Sequence, residues 1–136
     1  MIVHASCVAL SGKAVLILGP SGSGKSALAL SLMAMGAGLV ADDQTVLRRE
    51  GASLVADAPE AIRGQIEARG VGILAADAVG PVPISLVVDL GRDEDRRLPP
   101  KRTHMLMDVS LPLVLGPYRF HLAPAIRQYL EKGRTF

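Results

Sequence analysis

Eight consecutive residues carry the strongest chemical signal in this chain: Gly19-Pro20-Ser21-Gly22-Ser23-Gly24-Lys25-Ser26. They fit the pattern G-x-x-x-x-G-K-[ST] in full. Glycines at this spacing let successive backbone N–H groups curl around a phosphate, and a helix that starts where the loop ends adds its positive N-terminus. Lys25 would then reach the β- and γ-phosphates, while the Ser26 hydroxyl would ligate Mg²⁺. The expected chemistry is the binding of a nucleotide such as ATP together with magnesium.

A phosphoryl-transfer site also needs a carboxylate anchor for the metal and a group that takes the proton from the nucleophile. Asp42 and Asp43 stand where the apolar run Leu39-Val40-Ala41 ends, and open α/β sheets place their ligands at the carboxyl ends of such strands. Adjacent strand residues point to opposite faces, so both aspartates can serve only if the chain bends there. The plainer alternative is a polar turn. Glu67, just ahead of Arg69-Gly70, reads by itself as a solvated residue in the last turn of a helix. His4 by itself reads as a half-buried strand histidine. Arg96 and Arg97 belong to an unbroken run of charges from Arg92 to Arg97, which reads as a solvated loop.

These residues need elements to position them. Ile2 to Leu10 and Ala14 to Leu18 are apolar runs joined by Ser11-Gly12-Lys13, a connection suited to a hairpin. The Ala/Leu/Met segment from Lys25 to Met35 favours helix, and Gly36 is a natural stop. That helix is apolar on every side, which predicts burial on more than one face. Leu39 to Ala41 reads as a buried strand. Asp57, Pro59 and Glu60 resemble a helix start, with Ile62 and Ile66 as an i, i+4 apolar pair. Ile84 to Leu90 is rich in strand formers, and Ala123 to Lys132 reads as a closing helix ended by Gly133. No repeat or linker composition interrupts the chain, so a single domain is expected over residues 1–136.

Composition excludes several function classes. With 136 residues the chain has room for one hydrophobic core. It is 49% hydrophobic and 21% charged, which rules out a disordered or fibrous protein. Fifteen basic against 13 acidic residues leave a net charge of only +2, too little for a duplex-binding surface. Aromatics make up 3%, and Tyr118, Phe120, Tyr129 and Phe136 are all of them, so a platform for stacking single-stranded bases is excluded. The longest stretch without a charge, Ser26 to Ala41, is shorter than the roughly 18–20 residues of a membrane span. A single cysteine, Cys7, and no basic, apolar leader point to the cytoplasm. Neither a nucleic-acid nor a membrane partner is expected.

Taken together, the motifs resemble the catalytic domain of bacterial HPr kinase/phosphorylase. Members of that family carry a loop of the type G-x-S-G-x-G-K-S, then R-G-x-x-L-V-A-D-D, then a stretch like E-I-R-G-L-G-I. Here stand Gly19 to Ser26, then Gly36-Ala37-Gly38-Leu39-Val40-Ala41-Asp42-Asp43, then Glu67-Ala68-Arg69-Gly70-Val71-Gly72-Ile73. The resemblance runs from His4 to about Leu98. It implies an α/β fold, a P-loop nucleotide-binding domain of the HPr kinase/PEP carboxykinase-like type, with a mixed sheet and flanking helices.

The resemblance also implies roles. His4 matches a histidine involved in proton handling, and Asp43 the aspartate that accepts the serine proton. Asp42 and Glu67 match metal-linked carboxylates, with Ser26 as the third metal ligand. Arg97, with Arg96 as the alternative, matches an arginine that would offset charge on the transferring phosphoryl group. The implied activity is ATP-dependent, Mg²⁺-dependent phosphorylation of a serine in HPr, the carrier protein of the sugar phosphotransferase system. The family's P-G-R-N stretch, tied to dephosphorylation, is replaced by Gly116-Pro117-Tyr118-Arg119-Phe120-His121. The phosphorolytic direction, which uses inorganic phosphate, is therefore not expected with the kinase. With His4 so near the first residue, the family's separate N-terminal domain is expected to be absent, and its closing helices are expected to be short. A homo-oligomer remains an allowed assembly. Two other readings compete: a P-loop kinase of a small metabolite, and a nucleotide sensor without catalysis.

Overall fold

The computed structural model describes residues 1–136. β1 (Ile2–Leu10) and β2 (Lys13–Leu18) form the expected hairpin. Its turn is tighter than the sequence reading: Ser11 and Gly12 make it alone, at φ 53 and 75, and Lys13 already pairs with Leu10. Two central residues with positive φ give a turn whose twist matches that of the flanking strands. After the glycine-rich loop, α1 (Lys25–Ala34) ends at Met35 and Gly36, as expected from sequence.

The rest of the chain is mostly strand. β3 (Gly38–Ala41), β4 (Gln44–Glu50) and β5 (Ser53–Asp57) follow in quick succession. A single 3-10 turn (Glu60–Ile62) leads to the small hairpin of β6 (Gln65–Ala68) and β7 (Gly72–Ala75). β8 (Val82–Asp93), β9 (Arg102–Leu106), β10 (Val109–Gly116) and α2 (Leu122–Lys132) complete the fold.

The main sheet is mixed. β8 runs parallel to β2 and β10 and antiparallel to β5, while β1 is antiparallel to β2, β3 and β4. The second half of β1 pairs with β3 and its first half with β4, so one edge of β1 is shared by two strands. Because β8 pairs with both β2 and β5, the sheet folds back on itself. Strand alternation splits the core accordingly. Ala14 and Leu16 of β2 join one cluster, with Leu47, Leu54 and Leu113, and Val15 and Ile17 the other, with Leu28, Leu32 and Ile126. Both helices lie on this second cluster. No helix is long and apolar enough to cross a membrane.

Several sequence expectations are corrected. No α-helix runs from Asp57 toward Glu67. Gly64, at φ 73, breaks the chain there, and in β6 Ile66 and Ala68 are buried while Gln65 and Glu67 are exposed, a period of two. Asp57 caps no α-helix: it is the last residue of β5 and pairs with Arg63. The strand around Ile84 to Leu90 is longer, and it takes Arg92 and Asp93 out of the charged loop, which begins at Glu94. α1 packs against the sheet, α2 and β6, in line with burial on more than one face. It buries Lys25, Leu28, Ala29 and Leu32 in one broad stripe and leaves Ala27 and Ala34 exposed.

Candidate functional site

β2 ends at Leu18, and the glycine-rich loop carries the chain to Lys25, the first residue of α1. Gly24 precedes the helix at φ 103, and no side chain caps it. The free N–H groups of the first helical turn and the loop are thus left as an anion-binding end. At two of its glycines the loop is packed too closely for a side chain. A Cβ on Gly19 would collide with Ser23 Oγ, and one on Gly24 would meet Tyr118 Cβ at 3.0 Å. Lys25 is nearly buried, and its ammonium donates to the carbonyls of Gly19 (2.8 Å) and Pro20 (3.2 Å). Ser23 Oγ is buried without a hydrogen-bond partner. A buried hydroxyl is costly to leave unpaired.

The aspartates close the site from β3. The chain does bend between them: Gln44 N–H donates to Asp42 O at 2.7 Å, and Asp43 at the corner has φ 66. This three-residue turn follows the γ-turn pattern, and it breaks the strand alternation that would have separated the two side chains. Asp42 is buried, and its carboxylate accepts three hydrogen bonds. Ser6 and Ser26 hydroxyls both donate to Oδ1 at 2.9 Å, and Glu67 N–H donates to Oδ2 at 2.9 Å. These donors replace the water that a buried charge loses. Asp43 is exposed, and its Oδ1 lies 2.6 Å from His4 Nε2.

Glu67 reaches the site from β6. With Asp42, Asp43, Gln44, Ile62, Gln65 and Ile73 it lines a cavity of about 210 Å³. Ser26 and Asp42 are hard oxygen donors in contact with one another. No three His, Cys, Asp or Glu side chains are arranged to hold a metal ion by themselves. That donor set fits magnesium, which is usually held by one or two carboxylates, water and substrate phosphates instead of an all-protein cage.

Arg97 stands apart. It is exposed in the loop after β8 and makes no hydrogen bond or ion pair with the other site residues, and Arg96 differs only in a backbone N–H bond to Glu94. The loop is anchored instead by Glu94, whose carboxylate takes both arms of Arg102 at 2.8 and 2.9 Å. Two contributors escaped the sequence reading. Tyr118 packs over Gly24 and reaches Ser31 Oγ at 3.3 Å. Ser6, on the same face of β1 as His4 two residues before it, touches both aspartates. Strand parity with His4 was the available signal for it.

The chain is similar to known proteins over most of its length. The family model described as HPr Serine kinase C-terminal domain matches residues 1–97. The HPr kinase/phosphorylase of Caldanaerobacter subterraneus subsp. tengcongensis is 40% identical over 130 residues, covering 86% of this chain and 43% of that protein. That of Geobacillus thermodenitrificans is 39% identical, covering 86% and 42%. This chain therefore spans well under half the length of these curated relatives. Among solved structures, the Hpr(Ser) kinase/phosphatase from Coxiella burnetii superposes with a TM-score of 0.80 at 28% identity, covering 96% of this chain and 93% of that one.

Proposed function

The chain belongs to the HPr serine kinase C-terminal domain family, and from that premise we propose that it is an ATP-dependent protein kinase acting on a serine of an HPr-type phosphocarrier in the cytoplasm. The observation that carries this reading is the pair of contacts His4–Asp43 and Ser26–Asp42, bridged by Ser6, beside a glycine-rich loop. Backbone N–H groups of the loop beyond Pro20, which has none of its own, bind the nucleotide phosphates, and the Ser23 hydroxyl finds its acceptor there. Lys25 leaves the loop carbonyls to meet the β- and γ-phosphates.

Ser26 and Asp42, with Glu67 on the cavity wall, would hold Mg²⁺. Magnesium bound there supplies positive charge for the phosphate oxygens. Asp43 takes the proton from the acceptor hydroxyl. Its exposure lets a protein serine reach it, and the His4 ring holds the carboxylate by one oxygen. Arg97, or its neighbour Arg96, supplies charge to the transferring phosphoryl group from the loop after β8. The kinase direction alone is assigned.

The test is transfer of labelled phosphate from ATP to HPr. Asp43→Ala is expected to lower kcat by roughly 10²–10⁴-fold with nucleotide binding retained. Activity that survives this substitution removes Asp43 as the base. Activity on free hydroxyl metabolites and none on HPr selects a small-molecule kinase instead. Nucleotide binding without transfer to any acceptor selects a sensor.

A further inference from the structure

We propose that Ser6 is a positioning residue for phosphoryl transfer, setting the chain corner that presents Asp43. What Asp43 does rests on the kinase reading above; what Ser6 does rests on geometry.

Asp43 lies at φ 66, a region L residues seldom adopt, although aspartate tolerates it better than most. Such a conformation persists only where its surroundings over-determine it. Three successive residues of β1 do so. Asp43 N–H donates to Ser6 Oγ at 3.1 Å, Asp43 O accepts Ala5 N–H at 3.0 Å, and Asp43 Oδ1 meets His4 Nε2 at 2.6 Å. The Ala5 bond is made by main chain and any residue type would supply it. The His4 contact is half exposed. Only the Ser6 bond depends on a fully buried side chain.

That hydroxyl works in both directions, since it also donates to Asp42 Oδ1 at 2.9 Å. A hydroxyl offers one donor and two acceptor lone pairs, so it can bridge a carboxylate and the N–H of the next residue. Alanine at position 6 would leave the Asp43 N–H without its partner. Asp42 would keep Ser26 and the Glu67 N–H. Loss of Ser6 therefore releases the proton acceptor while the phosphate loop and metal anchor stay in place.

The test compares the wild-type chain, Ser6→Ala, Asp43→Ala and the double variant. Ser6→Ala is expected to lower kcat for transfer from ATP to HPr by roughly tenfold or more, with KM for ATP changed by less than about twofold. The same substitution should cost nothing further in the Asp43→Ala background, because the two residues act as one unit. Exchange of the Asp43 amide hydrogen should quicken by roughly tenfold or more relative to the amides of β2. A kcat unchanged by Ser6→Ala, an equal-fold loss in the Asp43→Ala background, or an unchanged Asp43 amide each overturns the proposal. Should Ser6→Ala not fold, Ser6→Cys keeps a similar volume with a weaker hydrogen-bonding group and is judged by the same criteria. If the wild-type chain transfers no phosphate, the kinase reading falls, and the amide exchange alone decides the placement of Ser6.

Discussion

The Ser26 hydroxyl donates to Asp42 Oδ1 across 2.9 Å, joining the first turn of α1 to the end of β3. The loop that would receive phosphate and the carboxylate that would face the metal are thereby one rigid unit. Its two halves come from elements that both pack against β1, α1 across the helix-bearing face and β3 along the strand edge.

Replacing Ser26 by alanine separates the metal contribution from the phosphate contribution. Asp42 keeps two donors, so stability should fall by only about 1 kcal/mol. Calorimetric titration with ATP should show affinity in magnesium reduced by roughly tenfold or more, and affinity without magnesium unchanged, since a magnesium site draws on so few protein ligands. An equal loss in both conditions would place Ser26 on the phosphate instead.

His4 touches Asp43 and no residue of the phosphate loop. His4→Ala is therefore expected to reduce kcat by roughly 10–10²-fold while the nucleotide Kd is unchanged. Steady-state kinetics alongside equilibrium binding check this, and lost nucleotide binding would contradict the assignment.

Two glycines with positive φ give a paired test of the loop. Gly24 lies at φ 103 with Tyr118 Cβ only 3.0 Å from the position of an added Cβ. Gly24→Ala should cost about 1–3 kcal/mol and remove nucleotide binding. Gly51 lies at φ 61 in the β4–β5 turn with open space around it. Gly51→Ala should cost about 1–2 kcal/mol from the backbone alone and leave binding intact. Urea denaturation and calorimetry read both effects.

Acid stability should report on Asp57. Burial pushes its carboxyl up, but the hydrogen bonds from Arg63 and Ala58 N–H, with the charges of Arg63 and Arg48, outweigh burial and hold it below the ordinary 3.8. A carboxyl depressed in the folded state stabilises the fold above its unfolded value and loses that contribution as pH falls through the folded one. Arg63→Ala should therefore be less stable than wild type at pH 7, with the gap closing as pH drops below about 4. A gap that stays constant down to about pH 2 would show that Arg63 acts through packing alone.

The parts of the site legible in sequence are those encoded by contiguous residues. Gly19 to Ser26 reads from spacing, because a phosphate loop is one turn and one helix start. Asp42 and Asp43 are visible as a break after an apolar run. The hairpin of β1 and β2, the span of α1 and the closing helix at Leu122–Lys132 likewise follow from local residue preferences. Glu67 misleads because Ile62 and Ile66 share a helical spacing, while burial at Ile66 and Ala68 follows strand alternation. That choice is made by Ile66 entering the core beside α1, not by the local sequence.

Residue types and spacing alone point to a glycine-rich turn with a helix starting behind it, since those features need only neighbouring residues. Long-range packing sets which side chains stand beside that loop. His4 and Asp43 are 39 residues apart, Ser6 and Asp42 36, and Glu67 and Asp42 25. They converge because one edge of β1 is shared between β3 and β4, and the junction of those two strands is the Asp42–Asp43 corner. Register between distant strands is set by which faces bury together, and no spacing along the chain records it.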